Sequence, residues 1–372
     1  MSELRERDFE SFFRAPFDCY PQTSPFVSLM RSDLARLLDG RRNPLFSHHG
    51  DFTYFTLCDG KRSLGRVVAH VHHDSNRRHG RRRGYFGFFD CLDDAEVARL
   101  LLERAAEWVA AMGCDELAGN FNLTAMQQIG VVTDGFEHAP YTDMHFNPPH
   151  IPRLLRACGF EPFFPMSTHE LALEQFEPEE LRTPGVQALL DGSELEWMPV
   201  RRRHFARHLD AIRSVLNASF DRNPMFVPVT REEFFFHAQE MMWIMDPRLS
   251  KLVYRSGEPV GAVICIPDLN RLMRRVGSRL GLSFPLHYLR YRLRRRRAVV
   301  IFWAVHPSAW GHGLNPAMLY QVTRSLKEAG YERLGLTWIA DENQASLRQI
   351  EKLGAQPLHR LHLFRKPIGV GP

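Results

Sequence analysis

The two halves of this 372-residue chain carry the same landmarks in the same order. Phe26-Val27 matches Phe226-Val227, and the turn glycine Gly65 matches Gly261. The helix-ending Gly113 matches Gly330, and Gly159 matches Gly354. These pairs lie 200, 196, 217 and 195 residues apart. The second half gains residues in an arginine-rich insert, and the first half recovers them in "NLTAMQQIGVVTDGFEHAPYTDMHF". Shared order, more than any single match, identifies a repeat. Each half reads as helices, two antiparallel strands, a further strand, a helix, a strand and a helix. That pattern predicts an α/β fold (α+β, mixed sheet) built twice. The expected division is a first domain at 1–171, a linker at 172–194 rich in acid, proline and glycine, and a second domain at 195–372 holding the insert 271–297.

Composition narrows the function classes. No run of eighteen apolar residues exists to span a bilayer, and the N-terminus "MSELRERDFESFF" lacks the apolar core of a secretion signal, so a cytoplasmic protein is expected. The six cysteines show no C-x-x-C spacing, which argues against a zinc site or disulfide frame. His70 and His72 alternate on a strand with only Asp74 near them in sequence, so no metal is expected there. The net charge of +5 conceals an uneven distribution: residues 271–297 hold ten arginines and no acid, leaving the remainder near −5.

The stretch "AVVIFWAVHPSAWGHGLNPAMLYQVTRSLKEAG" places two glycines between a buried strand and a helix. Asn315 reads as the N-cap, with Pro316 at the first helical position. Met318, Val322, Leu326 and Ala329 share one face, Lys327 lies in the last turn and Gly330 follows it. A glycine-bearing loop at a helix start offers free backbone N–H groups and a positive dipole end, hence an anion site; the alternative is a plain tight turn. The sister loop of the first half reads "CLDDAEV", where Asp93 with Glu96 forms a capping box and Asp94 adds charge. Three carboxylates there would repel a phosphate, whereas the second half has no acid from Val299 to Lys327.

The second half, about 195–367, resembles the GCN5-related N-acetyltransferase (GNAT) fold. The matching residues are "VIFWAVHP", "AWGHGLNPAMLYQV", "RLGLTWIADEN" and "NQASLRQIEKLGA". The whole layout is similar to a two-domain group of that superfamily that includes bacterial ceramide synthase-type N-acyltransferases. The resemblance implies acyl-CoA as co-substrate, held by Val305, Trp310, Gly311, His312, Gly313, Leu314, Asn315 and Asn343. It also implies direct acyl transfer to an amine. The loop departs from the family's Arg/Gln-x-x-Gly-x-Gly/Ala pattern at Trp310 and Asn315, and Ile350 stands near the place of the family's usual tyrosine acid.

Amine acylation needs aligned reactants, a base, oxyanion donors and a proton for the leaving thiolate. His306, where strand meets loop, is either the base or a residue that satisfies a strand end. Asp341 and Glu342 follow "LGLTWI" and are either proton acceptors or helix-capping residues. Asn343 is either a ligand contact or a cap, and Tyr320 is a weak candidate acid. A long acyl chain needs an apolar channel, for which Phe234, Phe235, Met241, Met242 and Trp243 are candidates beside an ordinary core role.

Between Asn270 and Arg297, leucines and aromatics interleave with arginine, and Gly281 and Pro285 divide the segment into two helical pieces. Such a segment reads as interfacial on an anionic membrane, through Arg271, Arg274, Arg275, Arg294, Arg295 and Arg296, or as a solvated basic face. No recognition helix or RNA-binding aromatic motif supports nucleic acid. The expected function is acylation of the amine of a sphingoid-type lipid, with location in the cytoplasm and on the periphery of the inner membrane. The alternatives are a small-amine N-acetyltransferase and a non-catalytic binding module that keeps the fold.

Overall fold

The repeat is realised as one sheet. The computed structural model describes residues 2–201, 204–238 and 244–369. The first half runs β1 (Ser2–Glu6), α1 (Phe9–Cys19), α2 (Arg31–Leu37), β2 (Gly50–Asp59), β3 (Arg62–His72), α3 (His73–His79) and β4 (Arg83–Cys91). It continues with α4 (Ala95–Ala111), β5 (Glu116–Gly119), β6 (Val131–Asp134), α5 (His150–Ala157) and β7 (Glu161–Ala172). After α6 (Pro184–Asp191) come β8 (Leu195–Pro199), α7 (Phe205–Phe220), α8 (Arg231–Ala238), β9 (Lys251–Arg255) and β10 (Glu258–Pro267). The insert forms α9 (Asn270–Arg275) and α10 (Phe284–Arg294), followed by β11 (Arg297–Val305), α11 (Leu314–Glu328), β12 (Arg333–Ala340), α12 (Gln344–Lys352) and β13 (Gln356–Pro367).

The strand order is β1-β2-β3-β4-β5-β13-β7-β12-β11-β10-β9-β8, a palindrome about the β13–β7 pair, with β6 added beside β13. The last strands of the halves are therefore exchanged. β7 pairs antiparallel with β12 from Arg333↔Ala172 to Ala340↔Met166, and β13 pairs with β5 from Phe364↔Gly119 to Pro367↔Glu116. Leu171 packs in the core of the second half with Leu334 and Met318. Phe364, fully buried, packs in the core of the first half with Phe86, Leu117 and Phe160. The boundary expected at 171 thus falls at the end of a strand that belongs spatially to the other half.

Local sequence explains the layers. β4, "RGYFGFFDC", is buried along its whole length, because α4 and α5 cover one face and α1 and α2 the other. A strand covered on both faces is continuously apolar instead of alternating. The segment expected as a linker is ordered and clasped. Thr183 caps α6, whose Val186 packs with Ala317 and Tyr320 on α11. Lys327 Nζ donates to the Phe176 carbonyl at 2.7 Å and pairs with Glu177 at 2.9 Å.

Several histidines are buried neutral. Burial lowers His70, His72 and His145 each to about 4. His70 Nε2 bonds the Phe121 carbonyl, and His72 Nδ1 caps α3 by accepting from Ser75 N–H at 3.2 Å.

Two outcomes are expected. Phe364→Ala costs about 3–5 kcal/mol, and hydrogen exchange accelerates in β2–β3 and β9–β10 together, since one strand serves both cores; acceleration confined to one half would contradict the exchange. Because the three folded histidines titrate below the unfolded value of about 6.5, the stability they confer is complete above that pH and declines as pH falls towards about 4. The slope is about 1.4 kcal/mol per pH unit for each histidine, readable from urea unfolding at a series of pH values and flattened by His145→Gln.

Candidate active site

Each half contains one parallel strand pair, and both pairs come apart. β11 pairs with β12 only from Arg297↔Arg333 to Val300↔Leu336, although β11 runs on to Val305 and β12 to Ala340. Among the described residues no hydrogen bond crosses between 301–305 and 337–340. β4 and β5 likewise pair only from Arg83↔Glu116 to Phe86↔Gly119. There the gap is stitched shut: the Asn122 side-chain carbonyl accepts from Phe88 N–H at 2.6 Å, and that of Asn120 from Phe89 N–H at 3.2 Å. The second half keeps its V-shaped opening.

The opening leads to the glycine loop. Gly311 and Gly313 have φ of 79° and 73°, in the left-handed region that favours glycine. Ala309 N–H and Trp310 N–H are used within a tight turn, on the His306 and Pro307 carbonyls at 2.9 and 3.2 Å. Among the described residues, the amides of Gly311, His312, Gly313, Leu314 and Asn315 meet no protein acceptor. They stand at the positive end of α11, a helix of 15 residues. His312 is exposed, while the side chains of Val305 and Leu314 are buried in the core, so only their backbone groups face the loop region.

The sister helix start is filled. Asp94 accepts from the amides of Glu96 and Val97 at 2.8 and 3.3 Å. The cap is therefore Asp94 and not the expected pair of Asp93 with Glu96. Asp93 instead pairs with Arg153 and Glu96 with Arg99.

Several expected residues take other positions. α11 starts two residues early: Gly313 is its N-cap, and Asn315 lies in the first turn. The Asn315 side-chain carbonyl accepts from the Trp303 indole at 3.0 Å, which braces β11 against the helix. His306 N–H bonds the Val260 carbonyl on β10. Strand alternation then points the Val305 N–H and C=O towards the opening. The Val305 carbonyl is met at 2.8 Å by the indole N–H of Trp310, a side chain 46% exposed that folds back over the strand end.

His306 Nδ1 lies 2.8 Å from Ser308 Oγ and accepts from Ser308 N–H at 3.2 Å. An accepting Nδ1 puts the proton of the neutral ring on Nε2, so this histidine presents a donor to its surroundings and not the lone pair a base needs. The Asp341 carboxylate is held by both arms of the Arg360 guanidinium, with Nη1 to Oδ1 at 2.7 Å. Both of its oxygens are therefore engaged. Glu342, next in sequence, is exposed. Asn343 caps α12 by accepting from Ser346 N–H at 3.2 Å. Tyr320 is buried against α6 and donates to Glu179 at 2.9 Å, on the linker side of α11, so it does not serve as the acid.

A narrow cleft lies between the halves, lined by Tyr85, Phe121 and Met126 on one side and Met225, Phe226 and Pro228 on the other, with Asp74, Glu233 and His237 among its polar residues. Met225 packs in one cluster with Trp338 and Ala340 of β12, so the cleft abuts the open strand. Phe234 lies in the core and Phe235 packs against it; Met241, Met242 and Trp243 lie outside the described residues. Sequence reasoning missed Asn120, Asn122, Trp310 as a carbonyl donor, and this cleft. The only sequence signal for the stitching asparagines is the "GNFN" that directly follows β5.

The sequence profile of the acetyltransferase (GNAT) family matches residues 209–355. "Protein YghO" of Escherichia coli (strain K12) is 22% identical, over 98% of this chain and 94% of its own length. "Bacterial ceramide synthase" of Caulobacter vibrioides is 23% identical, over 89% of this chain and 87% of its own. A tandem GNAT protein from the clavulanic acid biosynthesis pathway shares the fold over 100% of both chains, at a TM-score of 0.61 and 12% identity. The residues matched by that profile span the splayed strand pair, the glycine loop and α11, and the chain as a whole shares the fold of a tandem GNAT protein.

Proposed function

We propose that the protein is an acyl-CoA-dependent N-acyltransferase of the cytoplasm, active in its second half, whose acceptor is the amine of a sphingoid-type lipid. One observation carries the reading. The unstitched gap between β11 and β12 ends at five amides with no protein acceptor, while the equivalent gap and helix start of the first half are filled by Asn120, Asn122 and Asp94. Diphosphate is the natural occupant of such amides at a helix start. Acyl-CoA supplies the thioester that the amine attacks.

The chain's own residues then have distinct tasks. Gly311 and Gly313 let the backbone approach a phosphate closely, with His312 exposed beside them. The Val305 N–H, directed into the opening, is available to a carbonyl oxygen. Glu342 is the accessible carboxylate at the mouth of β12 and takes the amine proton, directly or through water. His306, with its proton on Nε2, donates towards the leaving sulfur. Asp341 and Asn343 position the start of α12. The preference for a long acyl chain and a lipid acceptor is supported by the relative named as a bacterial ceramide synthase.

Isothermal titration with coenzyme A is expected to show binding that Gly313→Glu abolishes; an unaffected titration would remove the loop from the reading. In turnover assays with a sphingoid base, palmitoyl-CoA is expected to outperform acetyl-CoA, and the reverse preference would make the acceptor a small amine. Glu342→Gln is expected to lower kcat by about a hundredfold or more with little change in KM. An unchanged kcat would assign the base elsewhere.

A further inference from the structure

The arginine-rich insert has two unlike parts. Its first part is anchored to the first half of the chain. Leu272 is buried, Ser278 Oγ donates to the Ser28 carbonyl at 2.8 Å, and Arg31 N–H donates to the Ser278 carbonyl at 2.9 Å. The second part, α10, contains no buried residue. Its Phe284, His287, Tyr288 and Tyr291 are half-buried along one side, and the rings of Phe284 and Tyr288 stack with centroids 6.0 Å apart. The other side carries Leu286, Leu289 and Leu293 at 53%, 56% and 79% exposure, continued by Leu282, which is fully exposed. Spacings of four, three and four residues place these leucines in one stripe.

Most cations of the insert lack an acidic partner, although Arg274 donates to the Gln22 carbonyl at 3.2 Å and Arg279 lies over the Phe13 ring. Among the described residues, Arg271, Arg274, Arg275, Arg279, Arg290, Arg292 and Arg294 have no ion-pair partner. Arg295 and Arg296, expected to join them, are instead held by Asp246 and Glu332, and Arg297 by Asp268. The shorter arginine-rich insert of the first half, between β3 and β4, is mostly paired: Arg77 with Asp74, Arg78 with Asp221, Arg82 with Asp115 and Arg83 with Glu116, while Arg81 is exposed. Among the described residues, the second insert is the one that sets unpaired cations beside exposed leucines.

We infer that the outer face of α10 is a docking surface for a lipid bilayer rich in anionic headgroups, with the leucine stripe entering the acyl boundary and the flanking guanidinium groups meeting phosphates. A partner for this face must accept leucines and neutralise cations together. A second copy of the chain would bring the same arginines against themselves, which like-charge repulsion opposes. No helix of the described residues is long and apolar enough to cross a membrane, so α10 lies on the surface. Its C-terminal end is two residues from β11, the strand whose far end opens at the glycine loop. The inference does not depend on the identity of the acyl acceptor.

The test is co-sedimentation of the full chain with vesicles of phosphatidylcholine alone or mixed with phosphatidylglycerol. Binding to the mixed vesicles, weakened by salt and absent from the neutral ones, is expected. Leu286→Asp with Leu289→Asp should abolish it, and Arg290→Ala, Arg292→Ala and Arg294→Ala together should weaken it about a hundredfold. Coenzyme A titration and unfolding in solution should remain as in the wild type, which separates failure of docking from failure of the fold or of the acyltransferase reading. Absence of vesicle binding, equal binding to neutral vesicles, or a dimer in analytical ultracentrifugation that the leucine substitutions dissolve would overturn the inference.

Discussion

The exchange of β7 and β13 is the contact on which the rest of the molecule depends. Each half closes its core with a strand from the other: Leu171 enters the second core and Phe364 the first. A sheet joined in this way has no free edge at its centre, where an isolated half would leave the outer edge of β5 or β12 unprotected. It also holds β12 against β7 along the side opposite the opening, so β11 and β12 can part without β12 losing its only neighbour.

On that shared frame the two halves diverge in a few polar groups. The backbone opens after four paired residues in both parallel pairs. Asparagine side chains satisfy the freed amides of β4, whereas β11 keeps its freed edge and covers only the Val305 carbonyl, with the indole of Trp310. Carboxylates reinforce the contrast, since Asp94 occupies the helix start in the first half and glycines leave it clear in the second. Identical topology thus supports one filled and one open helix start, decided by which side chain reaches the backbone first.

Much of this was legible before any coordinates. Glycine and apolar landmarks recur because turns and cores demand them, so the repeat, the layered mixed sheet and the asymmetry of the two loops followed from the sequence. Strand exchange did not, because pairing partners across the β13–β7 seam leave no local signature: "HRLHLFRK" reads the same whichever half it completes. Helix starts shifted, by two residues from Asn315 to Gly313 and by one from Asp93 to Asp94, because spacing alone does not fix which neighbouring residue takes the cap position. Roles assigned from position alone were the least secure. Glu179 and Arg360 claim the polar atoms of Tyr320 and Asp341 through contacts that spacing cannot reveal, whereas Asn343 takes the cap that its spacing allowed. The charge of the insert was visible, but its division into paired Arg295 and Arg296 and unpaired outer arginines required Asp246 and Glu332 to be located in space.

The connection between the halves has a consequence of its own. Leu189 on α6 stands 3.3 Å from where a Cβ on Gly313 would lie. The peptide that tethers one half to the other is therefore also a wall of the glycine turn, and its length and register govern the turn's shape. Shortening, lengthening or replacing residues 183–191 would therefore be felt in the turn without altering a single residue in it.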